Sequence, residues 1–157
     1  MRTYVGVVGP GDTATDTDLA AAREVGVLLA RSGCVVVTGG LGGVMAAAVD
    51  GATAAGGLTL GLLPDRDRAR AHPALTLSVP TGMGEMRNAL IVRSCDGIVA
   101  VGGSWGTLSE IALAMRAERP LVQVSGWDLE PYGSVPRYDA PGPAVEALLS
   151  TLRPATP

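Results

Sequence analysis

Lysine is missing altogether, since all 12 basic residues of the chain are arginine. Without it there is no Schiff-base lysine, which excludes pyridoxal-phosphate chemistry, and no lysine for a Walker A phosphate loop. Phenylalanine is also absent, and two tryptophans and three tyrosines are the whole aromatic complement. So few rings leave little for base-stacking platforms. A net charge of −3 with scattered arginines makes no basic stripe, so no nucleic-acid partner is expected. His72 is the sole histidine, and Cys34 and Cys95 stand far apart. That inventory builds no zinc site at ordinary spacing, and it predicts no metal and two reduced, packed thiols. No apolar stretch approaches the ~18 residues of a membrane span, and Met1-Arg2-Thr3-Tyr4-Val5-Gly6 runs straight into strand-like sequence without a secretory pattern. A cytoplasmic protein with no membrane partner is expected.

What is present suits one compact domain over residues 1–157: 47% of the residues are apolar and only 17% charged. The 22 glycines follow no three-residue period, so they serve turns and close backbone approaches. Tyr4–Val8, Val35–Thr38, Leu58–Leu63, Leu75–Val79, Gly97–Val101 and Leu121–Val124 read as strands. Between them Thr15–Ser32, Gly43–Ala55, Glu85–Ser94 and Thr107–Glu118 read as helices, with a last one over Pro143–Leu152. Strands apolar on nearly every residue, such as Ile98-Val99-Ala100-Val101, belong in a parallel sheet covered on both faces. The expected fold is α/β, a three-layer Rossmann-like open parallel sheet of about six or seven strands. The charged run Asp65–Arg70 reads as a solvated loop that can rim a cleft, and the Pro/Gly/Tyr-rich stretch 125–143 has no assigned role.

Three strand-to-helix handovers are glycine-rich, and in such sheets ligands sit beyond the carboxyl ends of the strands. Gly9-Pro10-Gly11-Asp12-Thr13-Ala14 formally fits G-x-G-x-x-A. Pro10 removes an amide donor, however, and Thr38-Gly39-Gly40 stands where a ribose-binding acid should follow the second strand, so NAD is not expected. The other two handovers, Thr38 to Met45 and Val101 to Thr107, offer backbone amides at helix N-termini to an anion. Gly9, Thr38, Gly39, Gly40, Gly42, Gly43 and Met45 on one side, and Asn88, Gly103, Ser104, Gly106 and Thr107 on the other, are the candidate ligand-binding residues. The bland alternative is tight turns and close helix packing. Arg87 and Glu110 add charge at the same edge: an arginine grips a phosphate bidentately, and a glutamate beside a sugar holds a hydroxyl, orients water or stabilises an oxocarbenium-like centre. A plain ion pair is the other reading. Trp105 either covers a base or packs on a neighbouring loop; Asp12 and Thr13 are expected to cap the first helix, Asp96 to tie a turn, and His72 to lie on an exposed loop.

Gly84-Glu85-Met86-Arg87-Asn88, Ser94-Cys95-Asp96-Gly97 and Gly102-Gly103-Ser104-Trp105-Gly106-Thr107-Leu108-Ser109-Glu110 resemble the superfamily of LOG (LONELY GUY) phosphoribohydrolases, Smf/DprA-related proteins and molybdenum-cofactor carrier proteins. Thr38 to Gly57 resembles that family's G-G-x-x-G-x-M segment followed by G-A-x-x-x-G-G. The resemblance implies that Arg87 and Glu110 stand at the catalytic pair of the LOG enzymes. Gly84-Glu85 replaces their M-H, Asn88 their lysine, Gly102 their proline and Ser104 their second glycine, a version similar to the carrier-like branch. The resemblance thus implies a Rossmann-like carrier that needs no further cofactor and holds a small phosphorylated ligand, whether nucleotide, phosphate or molybdopterin-type, in the two glycine loops. A phosphoribohydrolase cleaving a nucleoside 5′-monophosphate to base and ribose 5-phosphate is the alternative, and a vestigial structural domain a third reading. The label lysine decarboxylase often given to such proteins does not fit a chain without lysine. Apolar residues around much of Glu85–Ser94 and Thr107–Glu118 predict a homodimer or higher homo-oligomer through those helices.

Overall fold

The computed structural model describes residues 2–130 and 133–152. Pro131 and Tyr132 of the 125–143 stretch, and both ends of the expected 1–157 unit, lie outside them.

The chain runs β1 (Tyr4–Val8), α1 (Asp16–Arg31), β2 (Val35–Thr38), α2 (Val44–Ala54), β3 (Leu58–Leu63), β4 (Leu77–Pro80), a 3₁₀ turn (Gly84–Met86), α3 (Arg87–Ser94), β5 (Gly97–Val101), α4 (Trp105–Arg116), β6 (Leu121–Val124), β7 (Arg137–Tyr138) and α5 (Pro141–Leu152). The strands form one seven-stranded sheet in the order β4-β3-β2-β1-β5-β6-β7, parallel at every pairing. This is the doubly wound sheet expected from the βαβ rhythm. All of Val35–Thr38 and all of Gly97–Val101 are buried because helices cover both faces.

Two hydrophobic layers result. Val5, Val7, Val36 and Val99 point to the side packed by Val25 and Leu29 of α1, Ala48 of α2 and Leu148 of α5. Val8, Val37, Ile98 and Ala100 point to the other side, under Ile91 and Val92 of α3 and Ile111 and Ala114 of α4. Period-two alternation on strands thus divides one apolar run between two cores.

Two local expectations need correction. The fourth strand begins at Leu77, not Leu75: the Leu75 amide closes a turn on the His72 carbonyl, and its side chain lies against Gly61. The first helix is capped by Thr15 in a capping box with Asp18, their side chains each taking the other's amide at 3.2 and 2.9 Å, so Asp12 and Thr13 are not its cap. β7 is two residues long, too short for any periodicity to announce it. Asp96 does tie its turn: its carboxylate accepts the Tyr4 amide at 2.8 Å, and its own amide donates to the Tyr4 carbonyl. Cys34 and Cys95 are both buried free thiols, and burial pushes the Cys95 thiol up to about 12. Among the described residues no helix is long and apolar enough to cross a membrane.

Candidate ligand cleft at the carboxyl edge of the sheet

The chain winds outward from β1 to β4 and returns beside β1 as β5, which opens a crevice between the loops after β1 and β5. The loop after β2 is tied to it. Gly43 has φ 63°, and a Cβ there would run into the carbonyls of Pro10 and Gly11; the Val44 amide donates to the Pro10 carbonyl at 2.9 Å. The first turn of α2 is thereby strapped to the loop after β1. Alanine at position 43 combines a left-handed backbone with a backbone clash, so G43A should destabilise the fold by about 2–4 kcal/mol. Chemical denaturation checks this, and a loss under ~1 kcal/mol would mean that the strap yields.

On the other wall Ser104 caps α4, its hydroxyl accepting the Thr107 amide at 3.2 Å and lying 2.9 Å from the Thr107 hydroxyl. The helix therefore starts at Trp105, two residues before the expected Thr107. Glu110 accordingly sits in the second turn, on the buried side with Thr107, Ile111 and Ala114.

Arg87 opens α3 and reaches under the cleft with only 7% of its surface exposed. Its Nη1 donates to Asn88 Oδ1 at 2.6 Å, and its Nη2 makes a long contact, 3.5 Å, to the Gly39 carbonyl. Gly39 lets the guanidinium lie close against the loop, since a Cβ there would displace the ends of Arg87 and Met45. The Arg87 Nε–H is buried and has no partner among the described residues. Nη1 stands 4.0 Å from Glu110 Oε1, too far for a hydrogen bond. Desolvation acts on both groups: it pulls Arg87 below the usual guanidinium range, against Glu110, Asp65 and Glu85, and lifts the Glu110 carboxyl to about 7 despite Arg87. The two are close without being mated. Arg87 stays cationic all the same, as guanidinium groups in proteins do.

The cleft between these walls encloses about 270 Å³. Gly9, Gly39, Met45, Arg87, Asn88, Ser104, Gly106, Thr107 and Glu110 of the expected residues line it. Thr38, Gly40, Gly42, Gly43 and Gly103 do not. Thr38 is spent locally, its hydroxyl accepting the Gly40 amide at 3.0 Å, while Gly103 lies against Trp127. Gly11, Leu41, Pro64, Gly84 and Glu85 line the cleft without being among the expected ligand residues. Of these Gly11 carries a sequence signal as the second glycine of G-x-G, Leu41 lies within the second glycine loop, and Gly84 and Glu85 belong to the segment ending in Arg87-Asn88, whereas Pro64 carries none. His72 is not a free loop residue: its amide donates to the Gly40 carbonyl at 2.9 Å and its Nε2 lies 3.5 Å from Asp50, pinning the β3–β4 loop beside the cleft. Among the described residues no three His, Cys, Asp or Glu side chains gather as a metal site.

The cleft thus lies at the switch point of a parallel sheet, floored by an arginine at the start of one helix and a glutamate in the second turn of the next. Residues 2–139 match the SLOG cluster4 family. The chain belongs to this family. An uncharacterized protein from Archaeoglobus fulgidus is 43% identical over 112 residues, 71% of this chain and 73% of the other. Among solved structures, the molybdenum cofactor binding protein of Rippkaea orientalis is 36% identical with a TM-score of 0.93, covering 98% of this chain and 99% of its own. The molybdenum cofactor carrier protein of Chlamydomonas reinhardtii is 30% identical with a TM-score of 0.87, over 97% and 98%. The SLOG cluster4 sheet is thus shared end to end with proteins of the carrier branch that the Arg87-Asn88 and Gly102–Glu110 segments resemble.

Proposed function

We propose that this protein is a carrier that holds a phosphorylated pterin or nucleotide in the cleft and leaves it chemically unchanged. The observation that carries the reading is the Arg87 guanidinium, desolvated on the lining of the cleft beside two glycine loops and 4.0 Å from Glu110, without a hydrogen-bonded counter-ion among the described residues. A desolvated cation without a paired counter-ion is costly, and an anion in the cleft would offset that cost through charge-assisted bonds to the guanidinium. The names of the two structural relatives point the same way, and a pterin-bound phosphate fits this donor set: Arg87 for charge, and the N-termini of α2 and α4 for backbone donors. Molybdopterin would be cargo in this scheme, with the chain supplying a binding surface and exclusion of water. Mass spectrometry of the ligand released from purified protein tests it. A phosphorylated pterin or nucleotide is the expected finding; hydrolysis of nucleoside monophosphates by the wild type would replace carriage with catalysis.

That second reading, a phosphoribohydrolase, is favoured by Glu110, whose carboxyl at about 7 suits an acid, base or charge stabiliser at neutral pH. Under it Glu110→Gln would cut turnover by at least ~10² while nucleotide binding persists.

We also propose that the chain self-associates through the outer faces of α3 and α4. Leu90 and Met115 each expose 38% of their surface there. Light scattering at micromolar concentration should give at least a dimer mass; a monomer mass would refute it.

A further inference from the structure

The most exposed large apolar side chains of the described residues are Trp105, at 79%, and Met86, at 73%. Trp105 is the first residue of α4, so the Ser104 cap fixes its backbone. Trp127 supports its ring from behind, with centroids 5.6 Å apart and planes tilted by 39°. An indole braced on one side and open on the other is a ready stacking surface. Trp105 and Met86 both line a hollow of about 460 Å³ beside the cleft. Glu85, Asn88 and Gly106 line both spaces, so hollow and cleft adjoin across these residues. Asn88 lends its Oδ1 to Arg87, which leaves its two amide hydrogens for a ligand, and the Glu85 carboxylate is a pair of acceptors.

We propose that this hollow is a ring subsite in which Trp105 stacks a planar heterocycle and Glu85 selects a 2-amino-4-oxopyrimidine edge, the edge that pterins and guanine share. The inference rests on the phosphate-binding cleft of the proposed function and extends it to the rest of the ligand. A carboxylate accepts the adjacent N–H groups of that edge in parallel, whereas adenine presents an acceptor in the middle position. Stacking supplies affinity for any flat ring; Glu85 supplies the choice among rings.

Calorimetric titration with inorganic phosphate, AMP, GMP and a pterin monophosphate tests it. Expected for the wild type is binding of GMP and the pterin monophosphate roughly tenfold or more above phosphate, the scale of a single stacked ring, and tighter than AMP, which stacks but lacks the edge that Glu85 reads. Whichever of the two binds tighter identifies the source of the edge. Trp105→Ala should lose that gain and keep phosphate affinity, Trp105→Phe should retain most of it, and Glu85→Gln should erase the preference over AMP. A pterin monophosphate that binds no tighter than phosphate overturns the subsite. So does a Trp105→Ala variant with undiminished ring affinity, or one that falls from dimer to monomer by light scattering, which would assign the indole to subunit contact. A wild type that binds unphosphorylated pterin but no phosphate would instead keep the subsite and overturn the cleft reading.

Discussion

Arg87→Met should abolish measurable anion binding in the cleft, lowering affinity for sulfate or phosphate by at least ~10²-fold, with the fold retained. The size follows from what the side chain is. Arg87 is the buried cation of the site, it stands 4.0 Å from Glu110 without a hydrogen bond between them, and charge-assisted bonds of a desolvated guanidinium are worth about 2–5 kcal/mol when one partner is removed. Methionine keeps the volume under Gly39, so the glycine loop is not left over a cavity. A second consequence is specific to this pair. Arg87 holds the Glu110 carboxyl down against its desolvation, so its removal should move Glu110 above its present value of about 7. Calorimetry with sulfate, which does not titrate near neutrality, and a carbon-13 titration of Glu110 check the two parts. Arg87→Lys should restore neither fully, since an ammonium cannot both donate to Asn88 and present a planar fork to the cleft. Sulfate bound with wild-type affinity by Arg87→Met would mean that the helix N-termini alone hold the anion.

Glu110→Gln should stabilise the protein, and only where Glu110 would be ionised. Its carboxyl is raised from an ordinary 4.5 to about 7, chiefly by desolvation, in a side chain with 6% exposure. The folded state therefore binds the proton more tightly than the unfolded one. The stability this confers is complete below about pH 4.5 and is lost as pH rises through about 7. A shift of that size is worth about 3 kcal/mol. Glutamine mimics the protonated acid, so variant and wild type should agree near pH ~4 and diverge to about 3 kcal/mol at pH ~8, or roughly 5–10 °C in Tm for a domain of this length. Thermal melts at several pH values provide the check. A constant gap, or none, would mean that water reaches Glu110 freely. The same ionisation predicts weaker sulfate binding by the wild type above neutral pH, because the carboxylate then faces the anion.

The doubly wound sheet is legible in the sequence because its central strands are continuous apolar runs: Val35–Thr38 and Gly97–Val101 have the bounds that the residue pattern predicts. Leu75 misleads because an apolar residue before a strand looks like its start, while the turn that claims it depends on His72 and on Gly61 across the sheet. Arg87 and Glu110 stand out by their spacing, since each lies near a helix beginning beyond a strand. Thr38 looks equally eligible, and only its bond to the Gly40 amide shows where its hydroxyl goes. Pro64, Gly84 and Glu85 reach the cleft through pairing of loops: the Gly84 amide donates to the Pro64 carbonyl at 3.0 Å. No local pattern encodes that meeting.

The position of β1 has a consequence for how the chain is made. It lies in the middle of the sheet, with Val5 to Val8 in register against Gly97 to Ala100 on one side and Tyr4 to Gly6 against Val35 to Val37 on the other. Its second neighbour is therefore the last of the central strands to emerge from the ribosome. Until then a nascent chain that has paired β1 through β4 offers an open valine-rich edge, long enough to recruit another strand. Slow synthesis between Pro80 and Gly97, or truncation there, should turn this sequence from a folding chain into an aggregating one.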